Sequence, residues 1–127
     1  MPLVRIDLPA SSSDADTQAV SEGVHDALVE TFNVPHDDRF QVVSRQPEGV
    51  IICTPEYLGV RHSRRVVFVQ IACAPGRTLD QKRSLYSAIA GNVASRSTFL
   101  PADVIINLVE THRENWSFGN GIAHYAI

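Results

Sequence analysis

The opening run of the chain, PLVRIDL, alternates between apolar and polar residues with a period of two. Such alternation predicts a strand with one buried face. The apolar side carries Val4, Ile6 and Leu8, and the polar side carries Arg5 and Asp7.

The stretch after this strand predicts an amphipathic helix. Ser13 is a typical N-cap, and the acidic Asp16 suits the first turn of a helix. Five residues that follow recur at helical spacing and predict one helix face; they are Val20, Val24, Ala27, Leu28 and Thr31. Asn33 and Pro35 predict the end of the helix.

Two short strands are expected next, RFQVVSRQ and GVIICT, joined by a turn at 47–49. A polar connection, TPEYLGVRHSRR, follows them, and then the pattern begins again. The run VVFVQIACA is apolar on both faces, which predicts a strand in the centre of a sheet.

The second half of the chain repeats the strand–helix–strand order. GRTLDQ predicts a helix start with Thr78 and Gln81 as a capping box. The apolar face of this helix consists of Leu85, Ala88, Ile89 and Val93. Pro101 ends the region, DVIINLVE predicts the last strand, and the tail contains a turn at 119–121.

These elements predict one domain of the α/β (α+β) class, built from two βαβ units. The expected divisions are a first unit at about 2–54, a connection at 55–64, a second unit at about 65–110 and a tail at 111–127. Strands linked through a helix are parallel within each unit. The two units side by side are expected to form one four-stranded mixed sheet with both helices on one face. The other face remains apolar and uncovered, which predicts burial between subunits.

Composition and net charge argue against several classes of binding partner. The chain has 127 residues, 44% of them hydrophobic, and a net charge of -3, which argues against nucleic-acid partners and anionic membranes. No apolar run is long enough to span a membrane, and no export signal is visible, so a cytoplasmic location is expected.

The cysteines and histidines predict no metal site. Cys53 and Cys73 lie in apolar, strand-like runs and are expected to be free thiols in the core. The histidines lack the spacing of metal ligands, and His25 on the first helix is interpreted as a surface or interface residue. Neither a metal nor a cofactor is expected.

Pro2, directly behind Met1, has two interpretations. Proline is tolerated at the first residue of a strand, where no N–H is needed. Alternatively, processing removes Met1 and exposes a rigid secondary amine. A free α-amine titrates near pH ~7.7–8.0, and burial shifts such a group toward useful acid–base chemistry. Lys82 is the only lysine, so the terminal amine is the main candidate amine.

The sequence resembles the tautomerase superfamily, and within it the malonate semialdehyde decarboxylase-like subgroup. The resemblance covers nearly the whole chain and rests on MPL, HDALVETFNVPHDDRFQVV, VVFVQIACAPGRTLDQK and WSFGNG. It implies a homotrimeric, cofactor-independent enzyme that acts on a small oxo acid. The N-terminal proline would then lie in a pocket near a subunit boundary.

The resemblance also implies catalytic residues. Pro2 matches the catalytic proline, and Asp38 matches an acid that orients or activates water. Arg77 matches the second of two family arginines after a one-residue shift, whereas Ala74 stands where the first is expected. Leu28 stands in place of the helix histidine of cis-chloroacrylic acid dehalogenase, which disfavours dehalogenation.

The resemblance places Trp116, Phe118 and Tyr125 at aromatic wall positions of the substrate pocket. Each candidate also has a structural interpretation. Trp116 and Phe118 suit a core or an interface equally well. Asp38 suits a turn cap, and Arg77 a solvated loop.

The favoured interpretation is keto–enol tautomerisation of a small oxo-carboxylic acid. Arg77 would hold the carboxylate, and neutral Pro2 would move the proton. The alternative is decarboxylation or hydration of a 3-oxo acid, with a protonated Pro2 polarising the carbonyl and Ala74 depriving the site of a cation. A second alternative is a non-catalytic trimeric binding protein, because fold alone does not establish an activity.

Overall fold

The computed structural model describes residues 1–126, in which two helices pack on one face of a four-stranded sheet. The elements in chain order are β1 (Leu3–Pro9), α1 (Asp14–Phe32), β2 (Phe40–Gln46), β3 (Glu56–Tyr57), β4 (Val60–Arg61), β5 (Val67–Cys73), α2 (Leu79–Arg96) and β6 (Val104–Glu110). Short 3₁₀ turns at Pro101–Asp103 and Arg113–Asn115 flank β6.

The sheet has the order β2-β1-β5-β6, with β1–β2 and β5–β6 parallel and the central β1–β5 pair antiparallel. This confirms the mixed sheet and the central position of β5. Leu3 lies opposite Phe40 of β2 and Ala72 of β5, and Cys73 lies opposite Glu110 of β6. The starts of β1 and β2 and the ends of β5 and β6 therefore share one edge, called the Pro2 edge below.

Both helices begin where their caps predict. The Ser13 hydroxyl accepts the amide of Asp16 at 3.0 Å, and α1 ends at Asn33 in the left-handed conformation, with φ of 54°. Thr78 and Gln81 form the predicted capping box of α2. Side-chain caps satisfy amides that have no partner inside the helix, so they define where each helix starts.

The core lies between the helices and one face of the sheet. Its members are buried apolar residues, among them Val4, Ile6, Leu8, Val24, Leu28, Val69, Ile71, Leu85 and Ile89. The helices approach closely at Gly23, where the Asn92 side-chain amide donates to the Gly23 carbonyl oxygen at 2.9 Å. None of the helices within residues 1–126 is long and apolar enough to cross a membrane.

The predicted strand at GVIICT is wrong. The chain turns at 48–50 and continues without regular structure to residue 54, and Ile52 is 84% exposed. Consecutive apolar residues carry no period, and β2 is already the edge of the sheet. The expected polar connection instead contains the β3–β4 hairpin, whose two-residue loop has positive φ at Leu58 (49°) and Gly59 (81°).

Two side-chain expectations are also corrected. Cys53 is not in a core strand: it is half-buried in the irregular segment, with its Sγ 3.5 Å from His62 Nδ1. Cys73 is buried in β5, as predicted. His25 is 3% exposed rather than on the surface, because the loop after α1 covers it and its Nε2 lies 2.7 Å from the His36 carbonyl oxygen.

The sheet face opposite the helices is largely open in a single chain. Phe40 and Val42 of β2 are 45% and 43% exposed, and Val109 of β6 is 39% exposed. Exposed apolar side chains grouped on one face are typical of an interaction surface.

Candidate active site

The Pro2 edge gathers segments that are distant in sequence. The N-terminus lies there beside the loop that precedes β2, because β1 and β2 are parallel and in register from Leu3 onward. The loop after β5 meets the segment after β6, and the Thr111 amide donates to the Cys73 carbonyl oxygen at 2.8 Å. Topology therefore positions the candidate residues.

A cavity of about 170 Å³ opens at this edge. It is lined by Met1, Pro2, Cys73, Ala74, Arg77, Arg113 and Tyr125. Drug-sized ligands occupy pockets of roughly 300–1,000 Å³, so this cavity suits a molecule of only a few heavy atoms. Pro2 is buried and contributes to the cavity wall.

The N-terminal amine meets a carboxylate. The Met1 amine contacts Asp38 Oδ2. The other oxygen, Asp38 Oδ1, is buried and accepts no hydrogen bond from residues 1–126. The Asp38 amide also closes a turn to the Pro35 carbonyl oxygen at 3.0 Å. Asp38 therefore combines a turn position with a contact to the amine, and it retains a free acceptor.

Arg77 is half-buried and held by neutral oxygens. Its guanidinium donates to the carbonyl oxygens of Ala74 (3.3 Å) and Phe32 (3.4 Å) and lies 4.9 Å from the centre of the Phe32 ring. Within residues 1–126 it forms no ion pair. These contacts orient the guanidinium and leave its positive charge available for an anion.

The start of α2 offers few free main-chain amides to an anion. The capping box already occupies the main-chain amides of Thr78 and Gln81. A carboxylate in the cavity would therefore depend mainly on Arg77.

Cys73 is the cavity's thiol. Burial raises its pKa, and this effect outweighs the lowering influence of the nearby Arg77 charge. A thiol with a raised pKa stays protonated at neutral pH and is a poor nucleophile. Cys73 therefore contributes a neutral thiol to the cavity wall.

The aromatic residues form one cluster beside the cavity. Trp116 and Phe118 stack with centroids 5.5 Å apart, and Phe118 meets Tyr125 edge-on at 5.3 Å. Trp116 Nε1 donates to Thr111 Oγ1 at 2.9 Å, which fixes the indole ring. Of the three predicted wall residues, only Tyr125 lines the cavity, whereas Trp116 and Phe118 pack beside it.

Sequence reasoning missed Arg113. This residue follows β6, lines the cavity and places its guanidinium 5.9 Å from the centre of the Tyr125 ring. Its only signal in the sequence is its position between the last predicted strand and WSFGNG. Leu28, which stands in place of the dehalogenase histidine, is 1% exposed and belongs to the core.

Comparison with known proteins identifies the family. Two family models, each described as "Tautomerase enzyme", match residues 38–119 and 2–61. The chain belongs to the tautomerase superfamily. Two proteins of Bacillus subtilis (strain 168) are similar to it. "Probable tautomerase YusQ" is 35% identical, over 97% of both chains, and "Probable tautomerase YrdN" is 30% identical, over 98% of this chain and 96% of the relative.

Solved structures specify the subgroup. FG41 malonate semialdehyde decarboxylase, inhibited by 3-bromopropiolate, is 36% identical with a TM-score of 0.89, over 97% of this chain and 93% of that chain. A second malonate semialdehyde decarboxylase is 33% identical with a TM-score of 0.88, over 97% of this chain and 95% of that chain. The predicted resemblance to this subgroup is confirmed. A fused 4-OT, a symmetric trimer, shares the fold, with 19% identity, a TM-score of 0.78 and 98% of each chain covered.

Proposed function

We propose that this enzyme transfers a proton on a small oxo-carboxylic acid, with the amine of Pro2 as the base. The supporting observation is the cavity that joins a buried Pro2 to the half-buried guanidinium of Arg77. Superfamily membership supports an enzyme of the tautomerase type, and the cavity adds the Arg77 guanidinium as an anion-binding group close to Pro2.

The proposed reaction is keto–enol tautomerisation. Arg77 binds the substrate carboxylate, with two parallel N–H···O bonds where the geometry permits. The neutral Pro2 amine removes a proton α to the carbonyl and returns it to the other end of the enol. General acid–base help of this kind contributes ~10²–10⁴ in rate, and no cofactor takes part.

Removal of Met1 is part of the proposal. While Met1 is attached, the Pro2 nitrogen belongs to an amide and has no basic lone pair. The Met1 amine contacts Asp38. Removal of Met1 would free this carboxylate from that contact and make the Pro2 nitrogen, one residue further along the chain, the new terminal amine. The free Asp38 Oδ1 is then available to orient a water molecule or a substrate hydroxyl.

Decarboxylation or hydration of a 3-oxo acid is the second candidate, and two malonate semialdehyde decarboxylases at 33–36% identity favour it. A protonated Pro2 would polarise the carbonyl oxygen. The bond to the carboxylate would break, carbon dioxide would leave, and the electron pair would form an enol that is then protonated. A non-catalytic trimeric binding protein remains the third candidate.

We also propose that the chain assembles as a homotrimer. The open sheet face and its exposed apolar side chains need a cover, and the fused 4-OT of the same fold is a symmetric trimer.

The test begins with mass spectrometry, to establish that Met1 is absent. Proton NMR on small 2-oxo and 3-oxo acids then follows enolisation and loss of carbon dioxide in wild type, Pro2→Ala and Pro9→Ala. Pro9 ends the same strand at the opposite edge and serves as the matched control. We expect Pro2→Ala to lose most activity and Pro9→Ala to keep it. Full activity in Pro2→Ala would overturn the proposal.

The pH profile separates the two reactions. A base must be neutral, so tautomerisation through Pro2 requires kcat/KM to rise with pH. An acid must be charged, so decarboxylation through protonated Pro2 requires kcat/KM to fall as pH rises. If no oxo acid reacts although the carboxylate still binds, the binding-protein candidate is supported instead.

A further inference from the structure

The cavity contains a second guanidinium with no assigned role. Arg77 reaches it from the loop after β5 and Arg113 from the 3₁₀ turn after β6, and these two strands are neighbours. Arg77 is half-buried, whereas Arg113 is exposed at the mouth. No acidic side chain is among the residues of the described chain that line the cavity. Two guanidinium groups therefore line the cavity, one half-buried and one exposed.

We propose that Arg113 is a specificity-determining residue, and that with Arg77 it makes the enzyme select doubly charged oxo acids over singly charged ones. This inference rests on the proposed function, in which Arg77 binds the first carboxylate. The ligand class is then a small oxo-dicarboxylate, with one carboxylate on the inner guanidinium and the other on the outer one.

The pairing of charges is the physical reason for the preference for doubly charged substrates. A substrate with one carboxylate leaves one of the two guanidinium groups without an anionic partner, whereas a dianion pairs both. Charge-assisted bonds between arginine and carboxylate are stronger than neutral ones, so the second pair favours the dianion. Ala74, which stands where the resemblance places an arginine, is buried at 5% exposure and brings no charge. Arg113 supplies a cation from another segment.

The surroundings of Arg113 suit this role. The guanidinium lies 5.9 Å from the centre of the Tyr125 ring, within the range of a cation–π contact. A neighbouring surface recess is lined by Arg113 and Tyr125 together with His112, Glu114 and Ala126. Glu114 is the acid closest in sequence, and it lines this outer recess rather than the cavity.

Binding of unreactive probes tests the inference without turnover. Isothermal titration calorimetry compares malonate, at a pH where both its carboxylates are ionised, with propionate. The variants are Arg113→Gln and Arg113→Lys, with Glu114→Gln as a control from the neighbouring position. We expect wild type to bind malonate about tenfold or more tightly than propionate, and Arg113→Gln to lose most of this preference. Arg113→Lys should retain part of it.

An unchanged malonate-to-propionate ratio in Arg113→Gln would overturn the inference. Arg77→Gln distinguishes this failure from failure of the proposed function. If Arg77→Gln weakens both probes while Arg113→Gln changes neither, only the role of Arg113 is wrong. If Arg77→Gln also leaves both affinities unchanged, the carboxylate site of the proposed function is wrong. High salt should reduce the dianion preference of wild type, because exposed charges are screened.

Discussion

The side chains of Asp16 and Asp38 differ in how completely their carboxylate oxygens are paired. Asp16 is 7% exposed, and both its oxygens are occupied: the Thr98 amide donates at 3.1 Å, the Thr98 hydroxyl donates as well, and Arg65 approaches at 3.4 Å. Asp38, by contrast, has one buried oxygen without a partner among residues 1–126. A buried polar atom without a partner costs stability, so such an atom suits a group that meets a ligand.

Asp16 predicts a pH-dependent contribution to stability. The Thr98 hydroxyl bond is the main cause that lowers the pKa of Asp16, with help from the Thr98 amide and Arg65. A carboxyl group with a lowered folded-state pKa stabilises the fold above its unfolded pKa, and this stability is lost as pH falls through the folded pKa. We expect Asp16→Asn to lower the free energy of unfolding by about 1–3 kcal/mol at neutral pH.

The measurement is urea unfolding of wild type and Asp16→Asn across the acid range. The difference between them should shrink as pH falls below about 4, the ordinary pKa of aspartate. Asp14→Asn is the control, since Asp14 lies in the same helical turn with its side chain 97% exposed. A difference that stays constant from neutral to acidic pH would contradict this account of Asp16.

At the scale of elements, the contact between α1 and α2 depends on a missing side chain. A Cβ atom at Gly23 would lie 3.2 Å from the Cβ of Asn92, and the Gly23 carbonyl oxygen accepts the Asn92 side-chain amide. Gly91, on α2, has open space around its Cα. Alanine substitutions at Gly91 and Gly23 therefore distinguish the effect of helix propensity on stability from the effect of packing between the two helices.

We expect Gly91→Ala to raise the free energy of unfolding by about 0.5–1 kcal/mol, because alanine loses less backbone entropy in a helix than glycine. Gly23→Ala brings the same gain in propensity but places a Cβ atom 3.2 Å from the Asn92 Cβ, so Asn92 must shift and the substitution should be neutral or destabilising. Chemical denaturation of both variants gives the comparison. Equal stabilisation by the two substitutions would show that the helices do not need glycine at 23.

Elements whose boundaries are set by neighbouring residues in the sequence could be predicted. Elements and site residues whose position depends on the order of strands in the sheet could not. Ser13 and the Thr78–Gln81 box mark helix starts because capping involves only neighbouring residues. The run GVIICT has strand-like composition, but its conformation depends on whether the sheet has room for another neighbour. Arg113 was missed for a related reason: its place beside Pro2 follows from which strand ends share an edge.

At the scale of the whole molecule, the β3–β4 hairpin presents an unusual apolar tip. Leu58 is 89% exposed and has a φ of 49°. The left-handed conformation costs a non-glycine residue roughly 1–2 kcal/mol, and hairpin loops of this kind favour asparagine or glycine. Leucine at this position is unfavourable in an isolated chain, so we infer that its side chain packs against another subunit of the proposed trimer.

We expect Leu58→Asn to weaken the trimer, because it removes an apolar contact while easing the strain of the turn. Leu58→Met keeps an apolar side chain and the same backbone strain, and it should assemble as wild type does. Light scattering over a dilution series measures the assembly. A stable monomer in wild type would contradict the trimer, and equal assembly of both variants would exclude the Leu58 contact.

The antiparallel β1–β5 pair determines where the second βαβ unit begins relative to the chain terminus. It turns the two βαβ units in opposite directions, so the start of β5 lies at the edge opposite Pro2. There the chain continues through peptide bonds, and Asp103 accepts the main-chain amide of Ser63 at 2.7 Å instead of an amine. The proposed reaction needs a terminal amine, and the second unit begins within the chain. Under that proposal each chain therefore holds one reactive centre of this kind.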